Sequence, residues 1–200
     1  MLQKFSQYLL LILGLVVMSL GIALFIRANL GANPLTTFTN GIALKLNVSI
    51  GLASQLLMLS LVGLVYLLDR TRIGIGTVVN GISTGFFIDV FLNLLPKVDN
   101  HSLSAWFLLA CACILFSIGL GLYVAADLGE GAVDSFMVII RDRCRINLRE
   151  ARILLDVLLV LFGFLLGSHI GLGTVLGMVT TGPIMSRTIR LVKERKINHG

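Results

Sequence analysis

Charged side chains are scarce in this chain, and that scarcity limits its class before any motif is considered. They make up 13% of the 200 residues, 56% are hydrophobic, and the mean hydropathy is +0.97. A soluble domain carries about 25% charged residues. Apolar side chains in this proportion cannot all be enclosed in a core of this size. The composition therefore excludes an ordinary soluble domain and predicts that the lipid bilayer surrounds the protein.

Cysteine and histidine are also rare, with three of each. Cys111 and Cys113 lie in an apolar run and Cys144 lies in an arginine cluster, which is neither a disulfide framework nor a metal-binding spacing. No Ser/His/Asp or Cys/His arrangement indicates hydrolysis. A membrane enzyme acting on lipid-linked substrates is therefore the weakest functional hypothesis. We expect no catalytic residue, no metal and no cofactor.

Positive charge is confined to short clusters, although the net charge is +6. The clusters comprise Arg70 and Arg72, the five arginines from Arg141 to Arg152, and the segment from Arg187 to Lys196. This distribution is typical of the cytoplasmic loops of membrane proteins rather than of a nucleic-acid-binding surface. Nucleic acid is therefore not an expected partner.

A segment of the first half recurs in the second half. With a shift of 98, Asn29 corresponds to Asp127 and Gly31 to Gly129, and with a shift of 97 the Gly-Ile-Gly-Thr at 74–77 corresponds to the Gly-Leu-Gly-Thr at 171–174. Self-similarity at a fixed shift indicates an internal repeat. The sequence predicts one membrane domain, 1–200, with repeat one at about 5–96, repeat two at about 103–190, and a basic tail at 190–200.

The apolar runs predict an all-α polytopic membrane protein. Six runs are long enough to span a bilayer, which takes about 20 residues: 5–26, 49–68, 73–95, 103–126, 150–167 and 170–189. Two shorter, more polar segments, 35–45 and 132–145, read as amphipathic or re-entrant helices. Three spans per half invert the second half relative to the first, and both termini are then cytoplasmic.

Charge bias does not distinguish this 3+3 inverted arrangement from a parallel 4+4 arrangement of eight helices. Each places thirteen of the sixteen lysines and arginines in the cytoplasm. Segment length favours 3+3, because the apolar core of the second short segment covers only residues 136–140.

Polar residues recur at the same offsets after the first helix of each half. They are Asn29, Asn33, Thr36 and Thr37 in the first half, and Asp127, Glu130, Asp134 and Ser135 in the second. Transporters use the broken helices of such segments to bind substrates near the membrane midplane. We therefore predict that these eight residues converge on a substrate site. The alternative is an ordinary surface turn followed by an interfacial helix.

Acidic residues inside apolar segments are costly and usually face a bundle or a cavity. Asp89 lies toward the end of its segment, whereas Asp156 lies four residues after Arg152, which permits a structural ion pair. The alternative is that Asp156, or Asp134, binds a cation that is coupled to transport. In that case Arg149 and Glu150 would form a cytoplasmic gate.

A series of short motifs runs in order from about residue 14 to 189. They are Leu30-Gly31 with Asn33-Pro34, Ser49-Ile50-Gly51, Gly74 to Thr77 with Asn80, Asp89, Leu128-Gly129, Arg149-Glu150, Gly171 to Thr174 and Gly182-Pro183. In these motifs the chain resembles the bacterial YczE/YyaS/YitT group of membrane proteins, and its YczE-like branch more closely. The sequence departs from the family at Leu35-Thr36-Thr37, where an aromatic and an acidic residue are expected after the proline.

The resemblance implies a multi-pass protein of the bacterial inner membrane, from a group without an established substrate. Together with the repeat and the polar segments, it leads us to expect a transporter or exporter of a polar small molecule. The alternative is a non-transporting accessory protein that assists a biosynthetic or secretion partner. The small size of a six-helix bundle is compatible with a homodimer.

Overall fold

The computed structural model describes residues 2–98 and 103–198, and every regular element within them is helical. The helices are α1 (Leu2–Ala28), α2 (Pro34–Leu46), α3 (Ile50–Asp69), α4 (Ile75–Leu94), α5 (Leu103–Ala125), α6 (Ala132–Cys144), α7 (Leu148–Leu165) and α8 (Leu172–Asn198), with a 3₁₀ turn at Arg70–Arg72. The predicted all-α class is confirmed. The segment between the two predicted repeats lies partly outside the described residues.

Four of the described helices are long and apolar enough to cross a membrane. These segments are Phe5–Ala28, Ile50–Arg72, Ile75–Leu94 and Leu103–Ala125. The other two predicted spans carry more charge. α7 has four charged residues among its 18, and α8 continues as a helix through the basic segment to Asn198, beyond the predicted boundary near 190. The predicted polar tail is therefore largely helical.

The helix breaks in the two halves occur at positions 98 residues apart. Asn29 and Asp127 follow α1 and α5 with φ of 49° and 57°, and Gly31 and Gly129 also have positive φ, 97° and 131°. The short helices α2 and α6 each begin three residues after that glycine and have 13 residues. The backbone thus turns out of each long helix at corresponding positions.

Helices α1 and α5 cross in antiparallel directions at the centre of the fold. A β-carbon on Gly21 would lie 2.7 Å from the Cα of Phe116, and one on Gly14 would lie 2.5 Å from the backbone nitrogen of Tyr123. Later residues of α1 therefore meet earlier residues of α5. Such close backbone approach requires glycine, as in other membrane helix pairs.

The last helix of each half runs parallel to the first helix of the same half. Ser19 of α1 donates to the Thr84 carbonyl of α4 at 3.3 Å. Arg27, eight residues later in α1, donates to the Leu92 carbonyl, which lies eight residues after Thr84. In the second half, Gly173 lies against Leu109 and Gly121 lies against Thr188. α1, α4, α5 and α8 thus form a central unit.

Helix α3 is held against α4 by an acidic residue. Asp89 of α4 accepts hydrogen bonds from the Ser49 hydroxyl at 2.5 Å and from the Gly51 backbone nitrogen at 2.8 Å. It therefore caps the N-terminus of α3, where a negative charge is favourable. Gln55 of α3 also donates to the Ile82 carbonyl of α4 at 2.7 Å. The membrane acid noted in the sequence has a structural role here.

The corresponding helix of the second half is packed differently. α7 lies along α2, where a β-carbon on Gly163 would be 2.8 Å from the Thr37 backbone and the rings of Phe38 and Phe162 are 6.5 Å apart. Within the described residues, α7 and α8 show no packing comparable to that of α3 on α4. Helix α7 caps its own N-terminus instead, through reciprocal bonds between Asn147 and Glu150.

Candidate functional site

Two junctions connect the halves, each joining the loop after one central helix to the start of a helix in the other half. The Leu30 carbonyl accepts a hydrogen bond from Gly173 N at 2.8 Å, and the Leu128 carbonyl accepts one from Gly76 N, also at 2.8 Å. Glycine is required in the segments that donate these bonds, since a β-carbon on Gly171 or Gly74 would overlap the Leu30 or the Leu128 carbonyl. Leu30 and Leu128 are related by the sequence shift of 98, and Gly76 and Gly173 by the shift of 97.

The two junctions lie at opposite ends of the fold. The first joins the end of α1 to the start of α8, and the second joins the end of α5 to the start of α4. Because α1 and α5 are antiparallel, their C-terminal ends point in opposite directions. A cavity adjoins each junction.

The cavity at the first junction, named here the Asn29 pocket, has a volume of about 100 Å³. Its polar lining residues are Asn29, Thr36, Thr37, Asn40, Ser168 and His169. Asn40 Nδ2 donates to Ser168 Oγ at 3.1 Å and so links α2 to the segment after α7. Three of the four polar residues predicted in the first half therefore line one pocket.

Asn33, the fourth predicted residue, lies beside this pocket and forms the N-cap of α2. Its Oδ1 accepts a bond from Thr36 N at 3.0 Å, and its carbonyl accepts one from Thr37 N at 2.9 Å. Pro34 suits the first helical position, where no N–H is needed. Asn33 Nδ2 and Thr174 Oγ1 are buried and have no hydrogen-bond partner among the described residues.

The cavity at the second junction, named here the Glu130 pocket, has a volume of about 410 Å³. It is lined by Thr71, Arg72, Ile73, Gly74, Leu128, Gly129 and Glu130. The Glu130 carbonyl accepts a bond from Thr77 Oγ1 at 2.5 Å, and its carboxylate accepts one from Ser135 Oγ at 3.3 Å. Of the four second-half residues predicted for the site, only Glu130 lines the pocket. Ser135 contacts Glu130 through its hydroxyl.

Arg72 is a residue that the sequence reading assigned only to a charge cluster. Its guanidinium lies 2.9 Å from Asp69, 3.3 Å from Asp142 and 3.9 Å from Glu130. It therefore joins the end of α3 to α6 across the mouth of the Glu130 pocket. Its position just before the repeated Gly-x-Gly-Thr segment was the available signal, but its partners Glu130 and Asp142 lie about 60 and 70 residues away in sequence.

Two of the remaining acidic residues, Asp134 and Asp156, pair with Arg152. Its guanidinium lies 3.2 Å from Asp134 of α6 and 3.1 Å from Asp156, so the i,i+4 pairing permitted by the spacing is present. Arg149 is exposed, and Glu150 caps α7. Asp127 is exposed at the turn after α5.

The two predicted groups of polar residues do not meet in one site in this structure. The first-half group lies at the Asn29 pocket and the second-half group lies at the opposite end, around the Glu130 pocket and Arg152. Within the described part of the chain, no three His, Cys, Asp or Glu side chains are grouped closely enough to hold a metal ion.

Comparisons with known proteins agree with the resemblance seen in the sequence. Residues 5–190 match the family model described as "Family of unknown function (DUF6198)". The chain is 30% identical over 190 residues to an "Uncharacterized protein" of Haemophilus influenzae, with 94% of this chain and 86% of the relative covered.

Two proteins of Bacillus subtilis are also similar. The chain is 29% identical over 173 residues to the "Uncharacterized membrane protein YczE", covering 86% of this chain and 80% of the relative. It is 24% identical over 175 residues to the "Uncharacterized protein YyaS", covering 86% and 87%. No solved structure matches. The chain therefore belongs to the DUF6198 family, a YczE-like family of bacterial membrane proteins of unknown function.

Proposed function

We propose that this protein is a small transporter, without enzymatic activity, that moves a polar small molecule across the bacterial inner membrane by alternating access. The observation that carries the proposal is the unequal packing of two equivalent helix pairs. α3 is capped and held by α4, whereas α7 lies on α2 and away from α8. Two related halves in different arrangements are what alternating access between inverted repeats requires.

The directions of the helices support a 3+3 inverted arrangement. α1 and α5 are antiparallel, each is parallel to the last helix of its half, and the two short helices follow breaks at equivalent positions. If α1, α3, α4, α5, α7 and α8 span, the N- and C-termini both lie in the cytoplasm. The Asn29 pocket then faces outward and the Glu130 pocket faces inward.

Helix α7 is the moving element in this proposal. Movement toward α8 withdraws Gly163 from Thr37 and breaks the bond between Asn40 and Ser168, both of which close the Asn29 pocket. α3 remains on α4 because Asp89 holds it, and the second half has Ser186 at the position equivalent to Asp89. The Asn29 pocket is therefore opened by α7 alone.

Thiol labelling tests the opposite orientation of the halves. Single cysteines replace Lys45 and Arg143, which occupy equivalent exposed positions near the ends of α2 and α6, in a chain whose Cys111, Cys113 and Cys144 are replaced by alanine. We expect a membrane-impermeant reagent to label the cysteine at 45 in intact cells and the one at 143 only after lysis. Labelling of both only after lysis would establish the parallel eight-helix arrangement.

Cross-linking tests the movement of α7. Ile153 and Val179 are both exposed and are the equivalents of Gln55 and Ile82, which are in contact. In the same cysteine-free background, we expect cysteines at 153 and 179 to form a disulfide under mild oxidation. We also expect that disulfide to increase the labelling of a cysteine at Ala32, a buried residue of the Asn29 pocket.

Two further cysteine pairs serve as controls for this experiment. The pair at 55 and 82 should form a disulfide without affecting Ala32. The pair at Phe38 and Phe162 should hold α7 on α2 and prevent both the 153–179 disulfide and the increase in labelling. A static accessory protein would form the 55–82 disulfide but not the 153–179 one, and that result would refute the transport mechanism.

A further inference from the structure

We propose that Asp134 binds a proton from the cytoplasm and that this proton is the ion coupled to transport. The inference rests on the proposed function, because it names the ion that acts on the moving helix α7. It follows from two carboxylates that share one arginine, from the absence of these charges at the equivalent positions of the first half, and from a buried hydroxyl group without a partner beside Asp134.

The carboxylates around Arg152 outnumber its single positive charge. Its guanidinium lies 3.2 Å from Asp134 of α6 and 3.1 Å from Asp156 of α7. Glu130 adds a third carboxylate, which accepts a bond from the Ser135 hydroxyl in the first turn of α6. A like charge nearby makes the ionised form of a carboxyl group less favourable. One proton on this group would therefore balance the charge of the pair around Arg152.

The surroundings of Asp134 favour its neutral form. Burial raises the pKa of its carboxyl group, Arg152 opposes this, and the negative charges of Glu130 and Asp156 raise the pKa further. The side chain is still 34% exposed, at the end of the fold that faces the cytoplasm in the proposed orientation, so a proton can reach it. The charged or titratable groups that face it are Glu130 in the preceding loop, with Arg72 beyond it, Tyr123 of α5, and Arg152 and Asp156 of α7.

The first half has uncharged residues at the three positions equivalent to this group. With the shift of 98, Asp134 corresponds to Thr36, Arg152 to Ser54 and Asp156 to Met58. A charged group needed only for the shared fold would be expected in both halves. It occurs instead in the half whose helix α7 moves in the proposed function, and is absent from the half in which Asp89 holds α3 on α4.

The hydroxyl group of Tyr123 is an independent indication of a ligand beside Asp134. Tyr123 is 1% exposed, and its hydroxyl has no hydrogen-bond partner among the described residues. A β-carbon on Gly131 would lie 3.9 Å from Tyr123 Cε1 and 3.0 Å from Asp134 Oδ2, whereas Arg152 contacts the other oxygen, Oδ1. Buried polar groups without partners are rare in native proteins. The proton of a neutral Asp134 would give this hydroxyl a donor.

Protonation of Asp134 would also weaken the attachment of α7 to α6. The pair of Arg152 and Asp134 is a charge-assisted contact between these two helices, and a neutral carboxyl group binds a guanidinium less strongly. Arg152 keeps Asp156 of its own helix as a partner, so its charge stays compensated when α7 moves. Proton uptake therefore favours the arrangement in which α7 lies on α8 and the Asn29 pocket is open.

Infrared difference spectroscopy of the full-length protein in mild detergent tests the site. A protonated carboxyl group has a C=O stretching band that a carboxylate lacks. Ordinary acids titrate near about pH 4, so a band that appears between about pH 8 and about pH 5.5 comes from a group of raised proton affinity. We expect such a band, and we expect Asp134→Asn to remove it. Asp142→Asn, the same change eight residues later in α6, should leave it unchanged.

Tyr123→Phe tests the role of the hydroxyl group. It introduces the residue found at the equivalent position of the first half, Phe25, and removes one oxygen atom. We expect the band to persist and its midpoint to move to lower pH, by roughly threefold to tenfold in proton affinity, which is the contribution of one hydrogen bond. An unchanged midpoint would show that the hydroxyl group does not accept from Asp134. Absence of the band from the parent protein, or its persistence in Asp134→Asn, would overturn the proposal.

The disulfide experiment tests whether the proton acts on α7. The rate of formation of the 153–179 disulfide is divided by that of the 55–82 disulfide at the same pH, which removes the pH dependence of thiol oxidation itself. We expect this ratio to rise severalfold as the pH falls from about 8 to about 5.5, and to be high at both values in Asp134→Asn. A ratio independent of pH would reject the coupling alone. Absence of the 153–179 disulfide at every pH would reject the transport mechanism, whereas the infrared band would then identify a proton site in a protein that does not move as proposed.

Discussion

Replacing Gly119 with valine should abolish the folded protein. Gly119 lies where α1 and α5 cross, and a β-carbon there would overlap the backbone nitrogen of Met18 and lie 2.6 Å from its Cα. Backbone atoms cannot move aside as a flexible side chain can. Gly21 of α1 faces the backbone of Phe116 in the same way, so neither helix has space for a β-carbon at the crossing.

The expected loss is larger than that of an ordinary overpacked core residue. Overpacking a core typically costs about 1–3 kcal/mol, and the displacement of one central helix would also separate the contacts made by its partners. Total stabilities are about 5–15 kcal/mol. We therefore expect little monodisperse protein after size-exclusion chromatography in mild detergent.

Gly63→Val is the matched control, since it makes the same change inside a helix. Apart from its chain neighbours and the adjacent backbone of its own helix, no described atom lies within 4 Å of a β-carbon on Gly63. Valine has a higher helix propensity than glycine, so this variant should be recovered in the parental yield with an equal or higher melting temperature. Similar yields for both variants would show that α1 and α5 do not cross as closely as described.

The sequence was sufficient to predict the helices and the places where they break. Long apolar runs favour helices, and the Gly, Asn and Pro residues around 29–34 end them. Both effects depend on neighbouring residues, so they can be predicted without knowing the tertiary structure. The predicted second helix, 35–45, differs from Pro34–Leu46 by one residue at each end. The largest error is at α8, where the basic segment continues the helix to Asn198, because lysine and arginine are good helix formers.

The partners of the polar residues could not be predicted, because they come from distant parts of the chain. Leu30 meets Gly173 of the other half, and Arg72 meets Asp142. Asp89 was recognised as an unusual membrane acid, but its role as the cap of α3 depends on Ser49 and Gly51, which lie 40 and 38 residues earlier. Patterns in a single sequence indicate helix faces and helix ends, whereas these contacts are known only from the tertiary structure.

The two halves are similar in sequence, but equivalent helices in them pack differently. Sequence similarity between the halves led us to expect one site built from equivalent residues. The antiparallel crossing of α1 and α5 instead places the two groups of residues at opposite ends of the fold. At the equivalent positions, α7 has Arg149 in place of Gly51 and α8 has Ser186 in place of Asp89. The α7–α8 pair therefore lacks the contacts that hold α3 on α4.

Replacing Gly31 with alanine should destabilise the protein severely, because it affects both the turn after α1 and the junction between the halves. Gly31 has φ of 97°, and an added β-carbon would lie 2.7 Å from Gly171 N and 2.8 Å from Thr174 Oγ1. A left-handed conformation costs a residue with a β-carbon about 1–2 kcal/mol. Displacement of the loop would additionally break the bond from Gly173 to Leu30.

Gly167→Ala separates these two costs, since Gly167 has a similar φ of 94° but no described atom within 4 Å of its β-carbon position. Its loss of stability should be that of the backbone conformation alone. We expect the melting temperature of Gly31→Ala to lie well below that of Gly167→Ala, and the labelling of a cysteine at Ala32 to increase only in the former. Equal melting temperatures would mean that the loop after α1 and the start of α8 are not in contact, which would remove the junction that adjoins the Asn29 pocket.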